Sequence, residues 1–145
     1  MMHRVLVIED EPATQTLYRA MLSTRGIDCT IAGDGEQALA MMRRTRFDAV
    51  VLDLLLPKVN GFEVLRELKC TSRDTLARVI VCTAVAEETL RDCTELRLVH
   101  RVMFKPFDVW QLADEVLSAA GIAADAPAVV PGGHQIGAAL LRIVN

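Results

Sequence analysis

Five short apolar runs recur along the chain, each parted from the next by a segment of helical length. They are "RVLVIE" (4–9), "DCTIA" (28–32), "FDAVVLD" (47–53), "RVIVCT" (78–83) and "HRVMF" (100–104). Continuous apolar runs of strand length mark strands buried on both faces. Strands that alternate with helices form a parallel sheet, because parallel neighbours need a long crossover connection. The expectation is an α/β domain with a flavodoxin-like, doubly wound, five-stranded parallel sheet and helices on both faces. The strand order 2-1-3-4-5 is the economical choice, although periodicity alone does not show it.

The intervening segments carry start and stop signals. "PATQTLYRAMLSTRG" (12–26) puts Ala13, Leu17, Ala20 and Thr24 on one face, with Pro12 suited to a first turn and Gly26 to the stop. "DGEQALAMMRRTR" (34–46) reads as a helix, and Asp34 with Gln37 resembles a capping box. A loop holding Pro57 and Asn60-Gly61 leads into "GFEVLRELKC" (61–70), a third helix. "EETLRDCTEL" (87–96) has a weaker helical pattern. In "DVWQLADEVLSAAG" (108–121), Val109, Leu112, Ala113, Val116, Leu117 and Ala120 share a face, Asp108 and Gln111 form a second capping box, and Gly121 ends the helix. Beyond it the chain turns rich in Ala, Pro and Gly. The expected division is a domain over 1–121 and a linker or tail over 122–145. Ile136, Leu140 and Ile143 have the spacing of one short helix over 136–144, a piece too short to hold alone in water.

Composition narrows the class of ligand and compartment. At 145 residues, 52% hydrophobic and 24% charged, the chain is of ordinary globular make-up. A net charge of −3 argues against nucleic-acid binding through bulk charge. No apolar run approaches the ~20 residues of a membrane span, and the start lacks a signal-peptide core, so a cytoplasmic protein is expected. Cys29, Cys70, Cys82 and Cys93 form no CxxC pair, which points to reduced structural thiols rather than a zinc site.

One residue stands out within the apolar pattern. Asp53 closes the run "VVLD", and a buried carboxylate is costly unless it is paired, hydrogen-bonded or metal-bound. Ligands of open α/β sheets bind outside the carboxyl ends of the strands. That edge receives Glu9 and Asp10 after the first strand, Asp53 at the end of the third, Thr83 at the end of the fourth and Lys105 after the fifth. Two like charges about 4 Å apart repel by roughly 4 kcal/mol at an effective dielectric of about 20, so the acids need compensation. The oxygen-only set Glu9, Asp10 and Asp53 suits a hard cation such as Mg²⁺, and Lys105 adds a fixed positive charge. Cation, ammonium and hydroxyl around one carboxylate make a site for a transferred phosphoryl group, and the carboxylate can itself be the nucleophile.

The segments "VLVIEDE", "VVLDLLLPKVNGFEVL", "VCTA" and "FKPF" resemble the signature segments of response-regulator receiver domains, the CheY-like superfamily of two-component signal transduction. The resemblance covers about residues 4–121. It implies a regulatory phosphoacceptor domain rather than an enzyme, one that promotes only its own phosphotransfer and dephosphorylation. It implies Asp53 as the acceptor of a phosphoryl group from a sensor histidine kinase or a histidine phosphotransfer protein. Asp10, Asp53 and the main-chain carbonyl of Leu55 would bind Mg²⁺ directly, and Glu9 mostly through water. Thr83 would hydrogen-bond the phosphoryl group and Lys105 would pair with it, with a cis Lys105–Pro106 bond. The output would pass to a downstream protein or an attached output domain.

The chain departs from the family pattern in three places. Val102 stands where an aromatic switch residue is usual. Leu55 and Val85, two residues past Asp53 and Thr83, are apolar where polar groups are common. Leu98-Val99 replaces a small Gly-Ala pair. The competing reading is a pseudo-receiver, the same fold used as a protein-interaction module without phosphorylation, whose mark would be loss of Asp53, Lys105 or the acidic pair. A haloacid-dehalogenase-type phosphatase would need an aspartate at position 55, and a flavodoxin-like cofactor binder would need a phosphate-cradling loop in place of the acidic "EDEPAT". Taken singly, each site residue has an ordinary structural explanation: Glu9-Asp10 as helix-start acids, Asp53 as a loop aspartate, Thr83 as a strand-end hydroxyl, Lys105 as a surface charge. Asp34, Asp48 and Asp108 read as caps or exposed charges, His3, His100 and His134 as scattered, Trp110 as packing, and Arg43-Arg44 as a solvated helix face.

Overall fold

The structure, a computed structural model, describes residues 3–122. The tail from 123 onward, with the short helix expected over 136–144, lies outside the described residues. The strands are β1 (Val5–Ile8), β2 (Cys29–Ala32), β3 (Ala49–Asp53), β4 (Val79–Thr83) and β5 (Arg101–Phe104). All neighbours pair in parallel, in the order β2-β1-β3-β4-β5. The flavodoxin-like sheet expected from the alternation is therefore the one observed.

The longer helices are α1 (Pro12–Thr24), α2 (Gly35–Arg44), α3 (Gly61–Thr71) and α5 (Val109–Ala119); a single turn, α4 (Arg73–Leu76), follows α3. Because side chains alternate across a strand, each inner strand feeds two cores. Val5, Val7, Val51, Ile80, Cys82 and Met103 pack beneath α1 and α5. Leu6, Ile8, Val50, Leu52, Val79 and Val81 pack beneath α2, α3 and α4. This two-sided burial is why the runs lack polar alternation.

The helix ends follow the chemistry of their caps. Gly26 and Gly121 have φ of 74° and 73°. Each ends its helix with the paired bonds of a Schellman motif: Gly26 N–H to Ser23 and Ile27 N–H to Leu22, then Gly121 N–H to Ser118 and Ile122 N–H to Leu117. Asp34 accepts the Gln37 amide at 2.8 Å, while the Gln37 side chain accepts from Gly33 rather than from Asp34 itself, so the expected box closes one residue early. Asp108 accepts the amide of Trp110 at 2.9 Å, a cap one residue nearer than Gln111. Asn60 caps α3 through the Glu63 amide.

One expectation needs correction, and one element was not foreseen. The helix over 87–96 is replaced by two 3-10 turns, Glu87–Leu90 and Thr94–Arg97. Leu90, Cys93, Leu96 and Val99, the residues this segment packs against the sheet, recur every three positions, the period of a 3-10 helix and not of an α-helix. The short helix α4 was not expected: Ser72 ends α3 and at once caps the next turn by accepting the Thr75 amide. Leu76 is buried as a result.

Candidate functional site

The register sets the site. Ile8 pairs with Leu52, and Asp53 pairs with Cys82. Glu9 therefore follows β1 at the level of Asp53, and Thr83 lies one residue further along β4. The alternation that sends Val7, Val51 and Met103 into the core under α1 and α5 sends Glu9, Asp53 and Lys105, each two residues on, to the same side. Glu9, Asp53 and Thr83 are buried. One carboxylate oxygen each from Glu9, Asp10 and Asp53 lies within 4.8 Å of the others. Lys105 Nζ stands 3.7 Å from Glu9 Oε2 and 3.7 Å from Asp53 Oδ2. Of the residues singled out at the strand ends, Glu9, Asp10, Asp53 and Lys105 thus come together, and Thr83 lies buried at the end of the neighbouring strand.

Backbone amides fix the remaining atoms, and these contacts leave no trace in a side-chain pattern. The Leu55 amide donates to Asp53 Oδ1 at 3.0 Å, leaving Oδ2 toward Lys105. The Glu11 amide donates to Glu9 Oε1 at 3.1 Å, leaving Oε2 toward the same ammonium. The Val85 amide donates to the Thr83 hydroxyl oxygen at 3.0 Å. Gln15, which nothing in the sequence singled out, donates its side-chain amide to the Glu9 carbonyl at 2.6 Å and ties the loop after β1 to α1. Gly61 is required by closeness rather than by φ: a Cβ there would lie 2.5 Å from the Asp53 carbonyl oxygen and 2.5 Å from Leu54 Cα. The Asn60-Gly61 pair next to the expected loop was its one sequence signal.

Burial sets the electrostatics. Glu9 is pushed up to about 7, first by loss of solvent and then by the neighbouring Asp53 carboxylate, with Lys105 pulling the other way. Beneath the site Cys82 and Tyr18 are also buried, and burial raises both groups further from ionisation. The four cysteines are free, as the spacing implied.

The departures from the family pattern take definite places. Leu55, the second residue of the loop after β3, is 58% exposed. Val85 is half-buried and packs with Val102, Val99 and Leu96 against the core under α2 and α3. Lys105–Pro106 is cis. Trp110 packs against the other core, with the Arg25 guanidinium 5.8 Å from its ring centre.

Residues 5–117 match the family model for the response regulator receiver domain. The chain belongs to the response-regulator receiver family. Among its relatives, the DNA-binding response regulator MtrA of Mycolicibacterium paratuberculosis is 32% identical over 94% of this chain and 66% of its own length. The MtrA of Mycolicibacterium smegmatis is 42% identical over 50% of this chain and 32% of its own. The receiver thus spans about a third to two-thirds of the length of the curated relatives it matches. Two solved structures are similar, each with a TM-score of 0.72. The response regulator TrrA of Thermotoga maritima, in complex with Mg²⁺ and a beryllium fluoride, is 28% identical over 81% of this chain and 99% of its own. The receiver domain of the sensor histidine kinase PA1611 of Pseudomonas aeruginosa, with magnesium in its active-site cleft, is 30% identical over 83% of this chain and 99% of its own. Among the described residues no helix of the receiver is long and apolar enough to cross a membrane.

Proposed function

We propose that this receiver takes a phosphoryl group onto Asp53 from a phosphohistidine of a sensor histidine kinase or histidine phosphotransfer protein, and acts as a cytoplasmic signalling switch. The observation that carries the reading is the convergence of Lys105 on Asp53 and Glu9 within a cluster of three carboxylates. Three acids face one ammonium, so the donor set lacks positive charge, and its all-oxygen chemistry fits a hard divalent cation. Glu9, Asp10 and Asp53, with the main-chain carbonyl of Leu55, would hold Mg²⁺, as the two magnesium-bearing relatives suggest. When bound, Mg²⁺ supplies positive charge to the oxygens of the transferred group.

The chain's own groups divide the remaining work. The Leu55 amide holds one Asp53 oxygen and leaves the carboxylate oriented for attack on phosphorus. An oxygen–phosphorus bond forms as the nitrogen–phosphorus bond of the donor breaks; the imidazole nitrogen keeps the electron pair and takes up a proton. Asp53 becomes an acyl phosphate. Lys105 then pairs with a phosphoryl oxygen in place of the free carboxylate. Thr83 accepts from the Val85 amide, which leaves its O–H to donate to the same group. The relatives named as DNA-binding response regulators extend beyond the length that this chain matches, which supports an output through an attached domain or a separate partner.

Phosphoramidate, a small donor with a nitrogen–phosphorus bond, tests the acceptor. Wild type with Mg²⁺ gains an acid-stable, base-labile label, and Asp53→Asn gains none. A labelled Asp53→Asn protein contradicts the assignment.

A further inference from the structure

At the opposite edge of the sheet, a cleft of about 460 Å³ lies between the last turn of α2 and the corner of α3 and α4. Its size is that of small-molecule sites. Arg43, Arg44, Arg46 and Arg78 line it against Glu67 and Asp74, a surplus of two positive charges (four minus two) in a chain of net charge −3. Leu39, Met42 and Leu68 add an apolar wall.

Arg78 is the fixed member. Its side chain is 12% exposed, its Nε donates to the Phe47 carbonyl at 3.1 Å, and its Nη1 donates to Asp74 Oδ2 at 2.7 Å. Nη2 is buried and has no hydrogen-bond partner. A guanidinium carries five N–H donors, and leaving a buried pair unspent is costly. Arg46 Nη1 pairs with Asp48 Oδ1 at 3.2 Å, and its Nη2 approaches the same Asp74 oxygen at 3.9 Å. Asp74 therefore stands as an anion between two guanidinium groups, yet its own side chain is 77% exposed and able to swing outward. With Asp74 moved aside, Nη1 is freed next to the unspent Nη2, and a guanidinium edge of two nitrogens is what takes two oxygens of a phosphate at once.

We propose that this cleft binds a small phosphomonoester of mononucleotide size, with the phosphate on Arg78 and Arg46 in place of Asp74 and the organic body against Leu39, Met42 and Leu68. The site is separate from the carboxylate cleft and depends on no phosphorylation of Asp53. The positive surplus, still one when Asp48 beside Arg46 is counted, selects an anion, and the apolar wall selects a ligand with more than a bare phosphate.

The test is a titration of the full chain with adenosine monophosphate, followed by amide chemical shifts, with EDTA present so that no divalent cation serves the carboxylate cleft. Saturable changes are expected at residues 42–46 and 72–78. Arg46→Ala weakens binding tenfold or more. Asp74→Asn tightens it several-fold, because the competing carboxylate is gone; a merely structural Asp74 would give the opposite sign. Arg78→Lys keeps the charge, loses the fork and weakens binding. Should that variant fold poorly, the exposed pair Arg46 and Asp74 still decides the matter. Inorganic phosphate moves the same residues with at least tenfold weaker binding. Equal affinity for the bare ion would overturn the assigned ligand class. Absence of saturation, changes centred on Asp53 and Lys105, or weaker binding by Asp74→Asn would overturn the site.

Discussion

Glu9 is the residue at which burial and charge conflict. Its raised value of about 7 means that the folded chain, without metal, resists ionising a group that ionises near 4.5 when unfolded. Between those values the unfolded state has bound fewer protons than the folded state, so stability falls as pH rises. The contribution is fully present below about 4.5 and lost through about 7. Thermal melts in EDTA are expected to show this decline, Mg²⁺ is expected to cancel it at neutral pH, and Glu9→Gln to remove it. Leu55 and Val85, each two residues past a site residue, have no side-chain hydrogen-bonding group with which to orient an attacking water. Groups that position water or accept its proton typically contribute 10²- to 10⁴-fold, so the acyl phosphate is expected to be long-lived. Leu55→Asn and Val85→Glu should each speed phosphate release by roughly tenfold at constant Mg²⁺. Unchanged or slower release would make both residues packing only. Glu9, Asp10, Asp53, Thr83 and Lys105 were legible because strand-end placement is a sequence property. The amides of Glu11, Leu55 and Val85 were not, since every residue but proline carries one.

At the scale of elements, α3 is seated against the site by a glycine. Gly61→Ala would drive a Cβ to 2.5 Å from the Asp53 carbonyl oxygen, and backbone cannot yield as a flexible side chain does. Overpacking of this kind costs roughly 1–3 kcal/mol, measurable by urea denaturation, and should also slow labelling of Asp53. The segment between β4 and β5 is the other informative element. Its apolar residues at 90, 93, 96 and 99 have period three, and a search for helical faces reads that as a weak helix. The caps were legible in kind because Asp and Gly act locally, while backbone geometry moved two partners by one residue: the Gln37 side chain takes the Gly33 amide and Asp108 takes that of Trp110. With Val102 in place of a ring, no aromatic rotamer is available at that position, and the proposed switch is expected to act through the packing of Val85, Val99 and Val102 against the core. Amide shift changes on phosphorylation are expected to concentrate in residues 83–104 and α5. Changes confined to α1 and α2 would contradict that route.

The whole molecule is a sheet with two unlike edges. The carboxyl ends gather Glu9, Asp10 and Asp53 around one lysine, and the amino ends carry the arginine-lined cleft. The fold was legible because two-sided burial strips polar residues from β1, β3 and β4 and leaves helices to cover both faces. Strand order was not visible in periodicity, because neighbours depend on packing between elements distant in sequence, yet the economical order 2-1-3-4-5 is the one observed. The central claim is that the carboxyl edge is a magnesium-dependent phosphoacceptor site with one acceptor. The most direct test is intact mass after incubation with acetyl phosphate, with Mg²⁺ and with EDTA, for wild type and Asp53→Asn. The predicted result is a gain of one phosphoryl group by wild type with Mg²⁺ and none in the other three samples. A gain by Asp53→Asn, or an equal gain by wild type in EDTA, would contradict it.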